Sequence, residues 1–320
     1  MLRADLIEAV RATMARAGFA VSERCDLRPV SFDLVARRDK DLLILKVLTN
    51  VDALSEPIAQ EMKVLCKFLD ARPILVGLRA GTGNLESGVV YARHDIPIVT
   101  PTTLEGYVLH GDAPVIFAAP GGFYVNLNSD ALRAAREAQA LSLGVVAQIA
   151  GVSRRAIQMY EEGMSASIDA AMRLEEFLRT ELIRPLDPFH SFDTAAFQPP
   201  SPERSDHDPM EALVTRLLQG LGYEVRTTRR SPFNALSTQD KTTYLTGMGE
   251  DSPQLRRRAR IVSSVSRITE RPGFFVVERT TRTSIEGMPV VTRTELNTLS
   301  DPEKILDLVL ARQQRAPKEE

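Results

Sequence analysis

The sequence predicts an α/β (α+β) protein in which two flanking domains of the same internal order enclose a small all-α module. Three observations carry this. Four short helical patterns crowd the fifty or so residues after Ser129, a helix–strand–strand–strand–helix–strand order precedes them, and that order returns afterwards. At 320 residues the chain exceeds one ordinary small domain, and 43% hydrophobic residues suffice for more than one core.

The elements follow in order. Leu2, Leu6, Val10 and Met14 mark an opening helix, and strands are expected over Ala20–Cys25, Ser31–Val35 and Asp41–Leu48. Ile58, Met62, Leu65 and Leu69 mark a second helix, and Ile74–Leu78 reads as a buried strand. The apolar run APVIFAAP ends at Gly121 and Gly122, which sets a first domain of 1–121 and an all-α module of 122–184. Prolines and charges without period make 185–209 an extended tether. The second α/β domain, 210–315, opens on Leu213, Leu217 and Leu221. There GYEV answers GFAV, SPFNALSTQDKTTYL answers VSFDLVARRDKDLLI, GFFVV answers PILVG and MPVVTRTEL answers IPIVTPTTL, so the second domain reads as a repeat of the first.

The central run LGVVAQIAGVSRRAIQMYEE has the residues that two steeply crossing helices require. Ala147 permits close backbone approach, Gly151 takes a turn of positive φ, and Val152, Ile157 and Tyr160 form an apolar plug. Ser153 is a suitable N-cap, and Ser129 is expected to cap the helix upstream. With the plug inward, Ser153, Arg154, Arg155, Gln158 and Met159 face outward, as on a helix seated in the DNA major groove.

Residues Asp130–Leu182 resemble the lambda-repressor/Cro family of DNA-binding domains, most closely over GVSRRAIQMYEEG. The resemblance implies that Ser153 holds a phosphate, that Arg154, Arg155 and Gln158 read bases or backbone, and that Met159 touches a thymine methyl. Leu143 departs from the family, which places a phosphate-bracing glutamine there. The module carries six arginines against eight acids, so a lone copy is expected to bind weakly and to need dimerisation or a second basic surface.

The flanking order resembles the core of the PD-(D/E)xK nuclease fold, found also in resolvases. That resemblance implies an aspartate, then an acid-x-lysine, holding Mg²⁺. Asp33 and Lys46 fall in place, but Ile44 stands where the acid belongs. Glu61 on the next helix is either a migrated ligand or a solvated residue. In the second domain Asn234 and a position near Gly247 correspond to Asp33 and Lys46, so the flanking domains read as degenerate nuclease-like folds kept for binding or dimer formation.

A net charge of −2 and a pI near 6.2 exclude a generally basic coating protein, so nucleic-acid contacts must be local. Cys25 and Cys66 lack metal-spaced partners, and His94, His110, His190 and His207 are scattered, so no metal site and no cofactor are expected. Gly81, Gly83 and Gly88 lack a GK[ST] ending and read as a surface loop. Arg256, Arg257, Arg258 and Arg260 form the densest positive run, either a solvated helix face or secondary phosphate contacts. No signal peptide or membrane-length apolar run occurs, so a cytoplasmic protein without membrane contact is expected.

As a whole the order of parts resembles an archaeal family of HTH-type transcriptional regulators. This implies sequence-specific binding of double-stranded DNA, expected here as a homodimer and without enzymatic activity. The alternatives are a Mg²⁺-dependent, Holliday-junction-resolvase-like nuclease targeted by the helix-turn-helix, and an adaptor that has lost DNA.

Overall fold

The computed structural model describes residues 2–27, 30–81, 83–201, 208–240, 242–299, 301 and 303–313. The chain forms two compact units. One comprises Met1–Val47, Leu54–Pro73 and Asp193–Glu320, the other Leu48–Ala53 and Ile74–Phe192.

The first unit opens with α1 (Arg3–Arg16), β1 (Ala20–Val21) and β2 (Leu34–Arg38), followed by β3 (Asp41–Asn50), α2 (Glu56–Leu69) and β4 (Arg72–Ala80), whose residues are shared with the second unit. Leu6, Ile7, Val10 and Met14 form the buried face of α1, as the period of the apolar residues requires. β2 pairs antiparallel with β1 and β3. The strand expected over Ser31–Val35 runs instead over Leu34–Arg38, paired with β3 as far as Arg38 against Asp41; Arg38 lays its guanidinium 4.4 Å from the centre of the Phe19 ring and donates to Ala17 O at 2.9 Å. Its charge stays at the rim while its stem covers apolar surface.

The second unit adds β5 (Gly83–Asn84), β6 (Val89–Arg93), β7 (Ile96–Val99) and α3 (Pro101–Glu105), which runs into a π-helical turn at Gly106–His110. Then come β8 (Ile116–Ala119) and β9 (Gly122–Leu127), the helices α4 (Ser129–Ala138), α5 (Leu143–Ala150) and α6 (Arg154–Glu161), and β10 (Ala166–Ser167), α7 (Ile168–Leu178) and β11 (Ile183–Arg184). β4 and β7 are parallel, as are β6 and β8, and β9 accepts β8, β10 and β11 antiparallel. Of Gly121 and Gly122, taken from sequence as a boundary, Gly121 lies in the turn between β8 and β9 and Gly122 opens β9. Val125 and Leu127 of β9 lie in the same core as the four helices.

The tether is not free. Phe189 and Phe192 are buried, and Asp187 accepts a hydrogen bond from Tyr107 Oη at 2.9 Å. Part of 185–209, with His207, lies outside the described residues.

The first unit resumes with α8 (Pro209–Gly220), β12 (Glu224–Thr227), β13 (Ala235–Gln239), β14 (Thr242–Gly249) and α9 (Pro253–Thr269). It closes with β15 (Gly273–Val277), β16 (Ser284–Ile285), β17 (Met288–Thr292), α10 (Arg293–Thr298) and α11 (Glu303–Gln313). The sheet order is β12-β13-β14-β15-β17-β16, with β14, β15 and β17 parallel.

The echo seen in sequence recurs in the hydrogen bonds. Asp33 N donates to Leu45 O at 2.8 Å and Asn234 N to Thr246 O at 2.8 Å. Asp33 Oδ2 accepts Val47 N at 2.8 Å, and Asn234 Oδ1 accepts Met248 N at 2.8 Å. α2 and α9 both end on a left-handed residue, Asp70 and Glu270, and Thr100 and Thr292 cap the next helices, α3 and α10.

The two halves also grip each other reciprocally. Glu61 on α2 accepts from Arg229 N and Arg230 N, while on α9 Ser264 Oγ accepts Glu23 N at 2.8 Å and Arg257 pairs with Asp26. At the helix ends Thr243 Oγ1 donates to Phe68 O at 3.3 Å, and Glu270 pairs with Arg37. Ser31 donates from its N and Oγ to Arg230 O, at 2.6 and 2.9 Å, between the two sets.

Candidate nucleic-acid interface

The helical hairpin is built from local capping. Ser142 Oγ accepts Val145 N at 3.3 Å to start α5, and Gly151, at φ 69°, ends it while Val152 N donates to Ala147 O at 3.0 Å. A Cβ on Gly151 would lie 2.6 Å from the mobile tip of Arg173, which can shift, so it is the left-handed φ that calls for glycine here. Ser153 Oγ accepts Ala156 N at 3.1 Å and starts α6. Ile157 and Tyr160 are buried with Val146, Ala147 and Ala150, and Val152 packs partly buried against them.

The outward face carries the side chains that the sequence singled out. Ser153, Arg154, Arg155, Gln158 and Met159 are all exposed, Met159 by 38%. Gln158 Nε2 donates to Glu162 Oε1 at 3.1 Å, which leaves the amide oxygen outward. The Arg154 stem runs back along α5, with Cδ 3.7 Å from the Cβ position of Gly144.

The bracing of α6 was not legible. Asn128, not Ser129, caps α4, accepting Ala131 N at 3.3 Å. Ser129 Oγ instead donates to Tyr160 O at 2.6 Å. Arg133 Nη2 donates to Glu161 O at 2.8 Å, so α4 satisfies the last carbonyls of α6. Glu161 is 7% exposed and takes Arg136 Nε at 2.6 Å and Nη2 at 3.0 Å, a two-point pair that holds Arg136 above its usual pKa. Glu175 Oε1 likewise turns inward, accepting Leu182 N and Ile183 N. Counting acids therefore misjudged the surface. Two of the eight are spent inside, whereas Arg154, Arg155, Arg173 and Arg179 form no ion pair with any described residue.

The second basic run is largely ion-paired at the surface. Arg256 pairs with Asp251, Arg257 with Asp26 and Arg260 with Glu286. Arg258 lies inward, donating to Pro232 O, Met248 O and Asn234 Oδ1, and burial lowers its pKa. Three successive arginines spread around a helix, so each meets a different acid or carbonyl.

The nuclease-like residues do not fit a divalent cation. Asp33 Oδ1 accepts Arg3 Nη2 at 2.6 Å, Lys46 Nζ donates to Val30 O at 2.6 Å, and Ile44 is buried in the sheet. Glu61 is neither a migrated ligand nor solvated, because Arg229 N, Arg230 N and Ser231 Oγ saturate it. Gly81 N donates to Asp52 Oδ2, and Gly83 begins a short strand paired with β4, so that loop is a hairpin tip.

This is a helix-turn-helix protein whose first α/β part has nuclease-like order. Residues 3–114 match the PD-(D/E)XK superfamily domain and residues 132–183 match the helix-turn-helix family. Several archaeal relatives carry the name "Putative HTH-type transcriptional regulatory protein". That of Natronomonas pharaonis is 38% identical over 314 residues, covering 98% of this chain and 99% of its own. That of Halobacterium salinarum is 40% identical over 314 residues, covering 98% of each chain. That of Halorubrum lacusprofundi is 40% identical over 323 residues, covering 100% of each. The chain belongs to this family of HTH-type transcriptional regulatory proteins. No solved structure matches it. Among the described residues no helix is long and apolar enough to cross a membrane.

Proposed function

We propose that the protein is a sequence-specific DNA-binding transcriptional regulator that reads the major groove with α6. One observation carries the reading: a capped, braced helix presents Arg154, Arg155, Gln158 and Met159 to solvent with both arginines unpaired. Arg155 and Gln158 read base edges, Met159 meets a thymine methyl, and Ser153 and Arg154 contact phosphate. Arg154 takes the place of the anchor that Leu143 cannot supply. The protein acts in the cytoplasm as a homodimer on double-stranded DNA, each chain placing one α6 in successive grooves. The segments 1–121, 122–184, 185–209 and 210–315 are its working parts, and the flanking segments scaffold rather than cleave.

Gel shifts on sites recovered by genome-wide footprinting test this. Arg155→Ala with Gln158→Ala should erase the preference for the recovered site over random duplex, and retained preference removes the assignment. The match of residues 3–114 to a nuclease superfamily favours cleavage as the second reading. Mg²⁺-dependent cutting that is lost in Asp33→Ala would establish it.

A further inference from the structure

In each half a guanidinium donates to the side chain at the Asp33 or Asn234 position. In the first half Arg3, from α1, donates Nη2 to Asp33 Oδ1 at 2.6 Å and Nε to Val47 O at 2.8 Å. In the second half Arg258, from α9, donates Nη2 to Asn234 Oδ1 and Nη1 to Met248 O at 3.2 Å. The acceptors are equivalent, since Val47 N and Met248 N bond to the same side chains, Asp33 and Asn234. The donors are not equivalent, for they stand on different helices.

The negative partner has moved as well. Asp33 is itself the acid in the first half, whereas in the second the neutral Asn234 passes Nδ2 to Glu211 Oε1 on α8 at 3.3 Å. Two different sets of residues thus build one arrangement, a guanidinium bridging a carbonyl of β3 or β14 and the side-chain oxygen of the residue just before β2 or β13. A buried carbonyl and a buried carboxylate each need a donor, and a planar guanidinium serves two acceptors at fixed geometry.

We infer that in both halves an arginine permanently replaces the divalent cation of a nuclease, so that the flanking fold is metal-independent by construction and the arginine is part of its framework. At Asp33 the guanidinium supplies directed bonds and shares the positive charge with Lys46, whose Nζ lies 3.7 Å from Oδ2, so both carboxylate oxygens already have partners within the chain.

The test uses the full chain, freed of metal with a chelator and then titrated with Mn²⁺. Wild type should leave the free Mn²⁺ signal undiminished, and its unfolding temperature should be unchanged by millimolar Mn²⁺ or by EDTA. A metal site at ten times its Kd would raise that temperature by roughly 2–5 °C. Stoichiometric Mn²⁺ binding that disappears in Asp33→Asn overturns the inference. Arg3→Met should lower the unfolding temperature by several degrees, with Arg3→Lys falling less. Should Arg3→Met not fold, Arg258→Met reads the same comparison in the second half. Wild-type unfolding temperatures in both methionine variants would equally overturn it.

Discussion

Glu161 shows how one side chain turns a charge count into geometry. Buried at the end of α6 and held by Arg136 at two points, it is an ion pair that cannot lose one partner cheaply. Glu161→Gln should therefore destabilise the helical module by about 1–3 kcal/mol in chemical denaturation, and it should weaken DNA binding without changing which site is preferred. Gly151→Ala should cost at least about 1 kcal/mol, because φ 69° is left-handed. Cys25 offers a chemical check. Burial raises its thiol to about 12 and also raises that of Cys66 well above its usual value, so neither should react with iodoacetamide at pH 8 until the chain unfolds.

Among the elements, α6 was legible and its supports were not. Capping by Ser153, the wedge of Ile157 and Tyr160 and the glycine corner all depend on residues within one or two turns, where periodicity fixes the facing. Ser129 and Glu61 read wrongly because their partners, Tyr160 and Arg229, lie 31 and 168 positions away. The ion pairing of the arginine run on α9 was hidden for the same reason: which acids meet a cation depends on the fold. A prediction belongs at this scale. Arg154→Ala should weaken binding to every duplex about equally and lower the slope of log K against log salt by about 1. Gln158→Ala should instead change the relative affinities for sites that differ at a single base pair. A uniform loss for both would mean that α6 contacts only the backbone.

For the whole molecule, the fold class was readable from local periodicity, and landmarks such as GFAV and GYEV pointed to an order shared by the halves, while the reciprocal grip between them left no local mark. Acid should loosen the closing end of the first unit early. Arg312, with Thr292, depresses Glu295 from 4.5 to about 2, so this pair's contribution is complete above about 4.5 and is lost as the pH falls towards 2. Glu295→Gln should flatten the fall in stability measured by denaturant between pH 5 and 2.

The first unit is interrupted in sequence by the second, and its halves are joined by bonds such as those of Glu61 and Glu23 to residues beyond 228. On the ribosome, residues 74–192 are complete while the partners of α2 are still untranslated. At ordinary elongation rates the reading module therefore emerges on the order of ten seconds before its scaffold can close. Until then Glu61 and the end of α2 wait in the nascent chain for the backbone and side-chain donors that will hold them, and this interval is where chaperone capture should concentrate.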